Sequence, residues 1–168
     1  MLLSKRDALL AILFSSFAWP SRADVLVAPV DQFFSAKFPV QPDLKTSETH
    51  GLLLTIYGSR EGDRAFLVAH ALWPVEPDPA LAMQSIMNGL IERVAAELLS
   101  IEKKDFVSTD GKQLPAKKFT YGNSKLWGGG LTVASGRRSF VVQVTKRKPS
   151  EGFDSADEEF ISSFRVLS

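Results

Sequence analysis

Residues 128–139 read GGGLTVASGRRS, and what this stretch becomes separates two large classes of fold. Three consecutive glycines, a further glycine and a pair of arginines have the composition of a phosphate-binding loop. The spacing is wrong for one. Such a loop needs four residues between its first glycine and Gly-Lys-Ser/Thr, because that length sets the curvature of the amide cradle and the lysine reaches the outer phosphates. Here Gly130 and Gly136 enclose five residues, and Arg137 and Arg138 stand where the lysine belongs. The context also fails, since a phosphate loop opens a helix whose N-terminus faces the anion. After Arg138 the chain continues as the strand-like SFVVQVT. The dinucleotide pattern G-x-G-x-x-G breaks at Val133. The stretch therefore predicts two paired strands, Leu126 to Ala134 and Ser139 to Thr145, around a Ser135-Gly136-Arg137 turn. Glycines within a strand mark a bulge or a close approach by another group. Gly128, Gly129 and Gly130 thus have two readings: a twisted strand, or the floor of a small-ligand groove bordered by Trp127 and Trp73.

The rest of the chain is also strand-rich. Gln32 to Phe38, Leu52 to Tyr57, Ala65 to Trp73, Lys103 to Ser108 and Pro115 to Tyr121 read as strands. Asp24 to Val30 reads as an extended lead-in, and Gly58 to Arg64 as a hairpin connection. One long helix is expected from Asp78, a good N-cap, and Pro79, which suits the first helical position. Met83, Ile86, Met87, Leu90, Ile91, Val94 and Leu98 recur at helical steps behind them, so this helix should run to about Ser100. Ser155-Ala156-Asp157-Glu158 has the form of a capping box opening a short helix to about Ser163. Strands, helix, strands, helix is the order of an α+β fold, an antiparallel β-sheet flanked by helices in a single domain.

The N-terminus reads as an address. Lys5 and Arg6 precede the apolar run ALLAILFSSFAW, and Ser21-Arg22-Ala23 offers the small residues a signal peptidase reads. An apolar run of 12 residues is too short to span a membrane, which takes roughly 20. Residues 1–23 are thus expected to be a signal peptide, residues 24–31 a lead-in and residues 32–168 the domain. Lys5 stands where a twin-arginine signal has its first arginine, which favours general secretion. The expected location is the periplasm or the exterior, with no lipid or membrane anchor retained.

Cleavage after Ala23 would leave 17 basic and 18 acidic side chains, a net charge of −1. That balance gives no electrostatic reason to expect nucleic acid or an anionic membrane as partner. The chain has no cysteine, which excludes disulfides, thiol catalysis and thiolate metal sites. His50 and His70 lack metal-ligand spacing, and Gly122-Asn123-Ser124-Lys125-Leu126 ends in leucine where a nucleophile elbow needs glycine. No catalytic residue, metal or cofactor is expected; an enzyme built on His70 and scattered carboxylates stands as the contrary reading. Lys146, Arg147 and Lys148 form a basic cluster, either a solvated loop or a docking patch for an acidic protein partner.

FFSAKFPVQP (Phe33 to Pro42), DGKQLPAKKFTY (Asp110 to Tyr121) and FISSFRVL (Phe160 to Leu167) together resemble the PsbP-like superfamily in its bacterial exported form. The resemblance covers Asp31 to the C-terminus. It implies an α/β/α sandwich and a non-catalytic accessory role in steadying or assembling protein complexes, with a protein partner in the cell envelope. It carries over no catalytic residue. The glycine triplet departs from it, because relatives have larger side chains in that strand.

Overall fold

The structure, a computed structural model, describes residues 24–167; the signal-peptide reading of residues 1–23 lies outside them. Twelve strands and two α-helices are present among the described residues. Seven of the strands are β3 (Asp43–Thr49), β4 (Leu52–Glu61), β5 (Arg64–Leu72), β6 (Glu97–Lys103), β9 (Ala116–Gly122), β10 (Leu126–Ser135) and β11 (Arg138–Arg147). They form one central antiparallel sheet in the order β3-β4-β5-β11-β10-β9-β6. A smaller sheet joins β1 (Val25–Val27), β2 (Phe34–Phe38) and β12 (Arg165–Val166) in the order β1-β2-β12. A two-stranded ladder pairs β7 (Phe106–Val107) with β8 (Gln113–Leu114). Helix α1 (Pro79–Arg93) covers one face of the large sheet, and α2 (Ser155–Ser163) with the small sheet covers the other.

Period-two alternation explains this layering. On β11, Phe140, Val142 and Val144 enter the core shared with α2 and the small sheet, while Val141 enters the core under α1. On β2, Phe34, Ala36 and Phe38 point inward and are fully buried, which accounts for the aromatic pattern of FFSAKF. Their rings join a network in which Phe38 and Phe66 each meet Phe160 edge-on at 5.1 Å. Phe34 meets Tyr57 edge-on at 5.4 Å. Such pairs add about 0.5–1.5 kcal/mol each beyond the area they bury.

The hairpin read from GGGLTVASGRRS is present. β10 and β11 pair from Leu126↔Arg147 to Ser135↔Arg138, and Gly136 takes the left-handed conformation at the turn (φ 57°). Other boundaries differ from expectation. Residues 25–27 of the lead-in pair with β2 and belong to the folded domain. Phe33 adopts a positive φ after a 3₁₀ turn at Val30–Gln32, so the second strand starts at Phe34 and not at Gln32. The expected Gly58–Arg64 connection is strand as far as Glu61, and the turn is only Gly62-Asp63.

Helix α1 stops at Arg93, seven residues before the expected Ser100. Ala95 is left-handed (φ 51°), and the Asn123 amide donates to the carbonyls of Val94 and Ala95, both at 3.1 Å. A side chain from a distant loop thus satisfies the orphan carbonyls that end a helix. Leu98, read as the last residue of the helical stripe, lies instead on β6. Strand β3 has no counterpart among the expected strands; DLKTSET carries no apolar alternation, because every residue of that edge strand is exposed.

Candidate functional site

The glycine run is a packing device. Tyr121, opposite Gly128 on β9, lays its ring across that glycine on the α1 face, overlapping the space a Cβ would take. On the opposite face a Cβ on Gly129 would lie 2.6 Å from the Phe153 ring and 2.9 Å from the Phe119 carbonyl. At Gly130 it would run into the backbone of Val142 and Gln143. The three glycines therefore admit two aromatic rings and a neighbouring backbone, and the strand is buried along nearly all its length.

The expected ligand groove is corrected accordingly. Trp127 is covered, meeting Phe153 edge-on at 5.0 Å. Trp73 sits at the far end of the hairpin, where its amide donates to the Arg137 carbonyl at 2.8 Å. Trp127 pairs with Lys146 on β11, which puts the two tryptophans roughly 25–30 Å apart along the strands. The bare backbone expected from the sequence is filled by Tyr121 and Phe153, side chains whose positions the spacing of the glycines does not encode.

Under the glycines lies a buried polar group. The Tyr121 hydroxyl hydrogen-bonds Thr145 and accepts from the Gln143 amide at 3.0 Å. Burial pushes the Tyr121 phenol up to about 12, with the Thr145 hydrogen bond opposing that shift. It is a neutral structural contact at any ordinary pH.

His70 is sealed in the core, 1% exposed. Its Nδ1–H donates to the Gln32 side-chain oxygen, its ring stacks on Phe140 at 5.0 Å, and its Nε2 is buried without a partner. Burial, helped by the charge of Arg138 and opposed by Asp31, lowers its pKa to about 4. The imidazole is thus held neutral, out of reach of a substrate in solvent, and the enzyme reading loses its base.

The basic cluster divides. Lys146 is buried against Asp157 and Asp154, and its ammonium donates to the Gly152 carbonyl at 3.0 Å. Arg64 completes the network at 2.8 Å from Asp154 and 3.0 Å from Asp157. Lys148 pairs with Glu151 at 2.7 Å, and Arg147 is exposed at the strand end. A three-residue docking patch is therefore not assembled, because Lys146 points into the joint between β11 and α2. The capping box also lies one residue earlier than expected: Asp154 is the N-cap and Asp157 its reciprocal partner.

Open concavities flank α1. Between the helix and the β4–β5 hairpin is a cleft of about 160 Å³ walled by Leu52, Leu54, Trp73, Ile86 and Leu90. On the helix's other side, toward β6, a cleft of about 220 Å³ mixes Met87, Leu98 and Ile101 with Gln84, Asn88 and Lys117. Trp73, expected at a ligand site, does line a cleft, though not the one expected. The signal that could have found it is Gly89, a glycine in the interior of a helix. Among the described residues no group of three or more His, Cys, Asp or Glu is arranged to hold a metal ion, and no helix is long and apolar enough to cross a membrane.

A seven-stranded antiparallel sheet with α1 on one face and α2 with a three-stranded sheet on the other is a PsbP-like α+β fold. In particular, the chain is similar to the solution structure of cyanobacterial PsbP (CyanoP) from Synechocystis sp. PCC 6803. The match has a TM-score of 0.53 and 13% identity and covers 93% of this chain and 99% of that one. Such low identity speaks for the fold alone. A crystal structure from Bacteroides thetaiotaomicron VPI-5482 matches at a TM-score of 0.32 and 15% identity, over 81% of this chain and 46% of that one, too weakly to argue from. No family model and no curated protein matches the sequence.

Proposed function

We propose that this protein is an exported, non-catalytic accessory protein of the cell envelope that works by binding another protein. The observation that carries the reading is that the chemistry-bearing features are engaged inside the fold. His70 is stacked on Phe140, the glycine run is covered by Tyr121 and Phe153, and Lys146 is held by Asp154 and Asp157. The end-to-end likeness to a PsbP chain and the signal-peptide pattern of residues 1–23 support the same reading; fold likeness by itself is a weak guide to function. The test is mild crosslinking of the tagged mature chain in native envelope, identification of the recovered protein, and reconstitution from purified components. One defined partner that rebinds the purified chain is expected. Retention of the chain in the cytoplasm, or no reconstitutable partner, would overturn the proposal.

A further inference from the structure

The cleft between α1 and the β4–β5 hairpin has a consistent chemistry. Its walls at Leu52, Leu54, Ile86 and Leu90 are hydrocarbon. Trp73 adds to them, because its indole N–H already donates to the Ser139 hydroxyl at 2.9 Å and leaves the ring's carbon edge for the cleft. Gly89 gives the cleft depth: it lies within α1, yet nothing stands within 4 Å of where its Cβ would be. Glycine there weakens a helix relative to alanine, with no local backbone reason for its presence. At the rim is Arg93, in the last turn of α1, which forms no ion pair among the described residues. No acidic side chain lines the cleft.

We propose that this cleft binds a small amphipathic carboxylate, its apolar end among Leu52, Leu54, Trp73, Ile86 and Leu90 and its carboxylate on Arg93. A mostly apolar concavity with a few placed polar groups, here Arg93 and Ser85, is the usual form of a small-molecule site, and guanidinium matches carboxylate in a two-pronged geometry. The volume of about 160 Å³ is near that of an engineered apolar cavity of about 150 Å³ that holds benzene. It suits a single ring or an alkyl chain of medium length.

The probes are octanoate and octan-1-ol, titrated into the isotope-labelled mature chain and followed by backbone and indole N–H resonances. Octanoate is expected to shift the Trp73 indole and Gly89 signals saturably. It should bind about threefold to fivefold tighter than the alcohol, the advantage of an exposed ion pair. Arg93→Gln should bring octanoate down to the alcohol's affinity and leave the alcohol unchanged. Gly89→Leu, which fills open space, should abolish both while circular dichroism stays unaltered. Absence of saturable shifts, equal affinity of the two probes for the unmodified chain, or binding that survives Gly89→Leu would each overturn the proposal.

Discussion

At the scale of single residues, Gly129 and His70 make the clearest commitments. Gly129 is the one position in the triplet pressed between an aromatic ring and a carbonyl. Gly129→Val should force Phe153 away and cost about 1–3 kcal/mol, as overpacking does. Chemical denaturation measures it, and an unchanged midpoint would contradict that packing. His70 fixes a pH dependence. Its pKa falls from an ordinary 6.5 to about 4 in the folded state, so below 6.5 the unfolded chain binds the proton more readily. Stability should therefore be level above pH 6.5, fall between 6.5 and 4 by about 3 kcal/mol, and level off again as far as this group is concerned. Replacing His70 with leucine should flatten that limb in thermal melts across the range. Asp154, which Arg64 holds well below its ordinary carboxyl range, loses its contribution only at more acid pH, so the two limbs are separable.

At the scale of elements, the joint between α2 and the sheet depends on Lys146. The ammonium is 5% exposed and faces the fully buried Asp157 and the N-cap Asp154. Lys146→Met keeps the stem and removes the charge, leaving Asp157 buried with Arg64 as its remaining cation. Breaking such a pair on one side costs about 3 kcal/mol, and the loss should appear first as hydrogen exchange in α2. Equal protection of α2 in the variant would mean that the aromatic contacts of Phe160 alone hold the helix. Elements also explain which readings of the sequence succeed. Apolar periodicity finds α1, β5, β10 and β11, because those segments face cores. It misses β3, whose residues are all exposed, and it carries α1 on to Leu98, because neither the left-handed Ala95 nor the cap from Asn123 leaves a local mark.

At the scale of the whole molecule, one 15-residue helix cannot roof seven strands, and the clefts beside it are the geometrical result. The opposite face is closed, since α2 and the small sheet, with Phe164 between them, supply Phe34, Phe38 and Phe160 to its core. Ligand and partner are thus expected at different places: the carboxylate on the α1 face, the protein on the outer surface. The octanoate titration and the envelope crosslinking test them independently.

The sequence by itself determined the class of fold and the principal hairpin. Alternation, β-branched residues and turn glycines act through neighbours a few positions away, and such short-range preferences are written in order along the chain. It also determined what chemistry was lacking: a chain with no cysteine makes no thiolate site whatever its fold. Only the tertiary structure decided what lies against Gly128, Gly129 and Gly130, that Lys146 turns inward while Arg147 stays at the surface, and that Trp73 and Trp127 are at opposite ends of one hairpin. Those outcomes depend on Tyr121, Phe153, Asp157 and the strand register. These partners are chosen by packing in space, and their separation along the chain carries no trace of the choice.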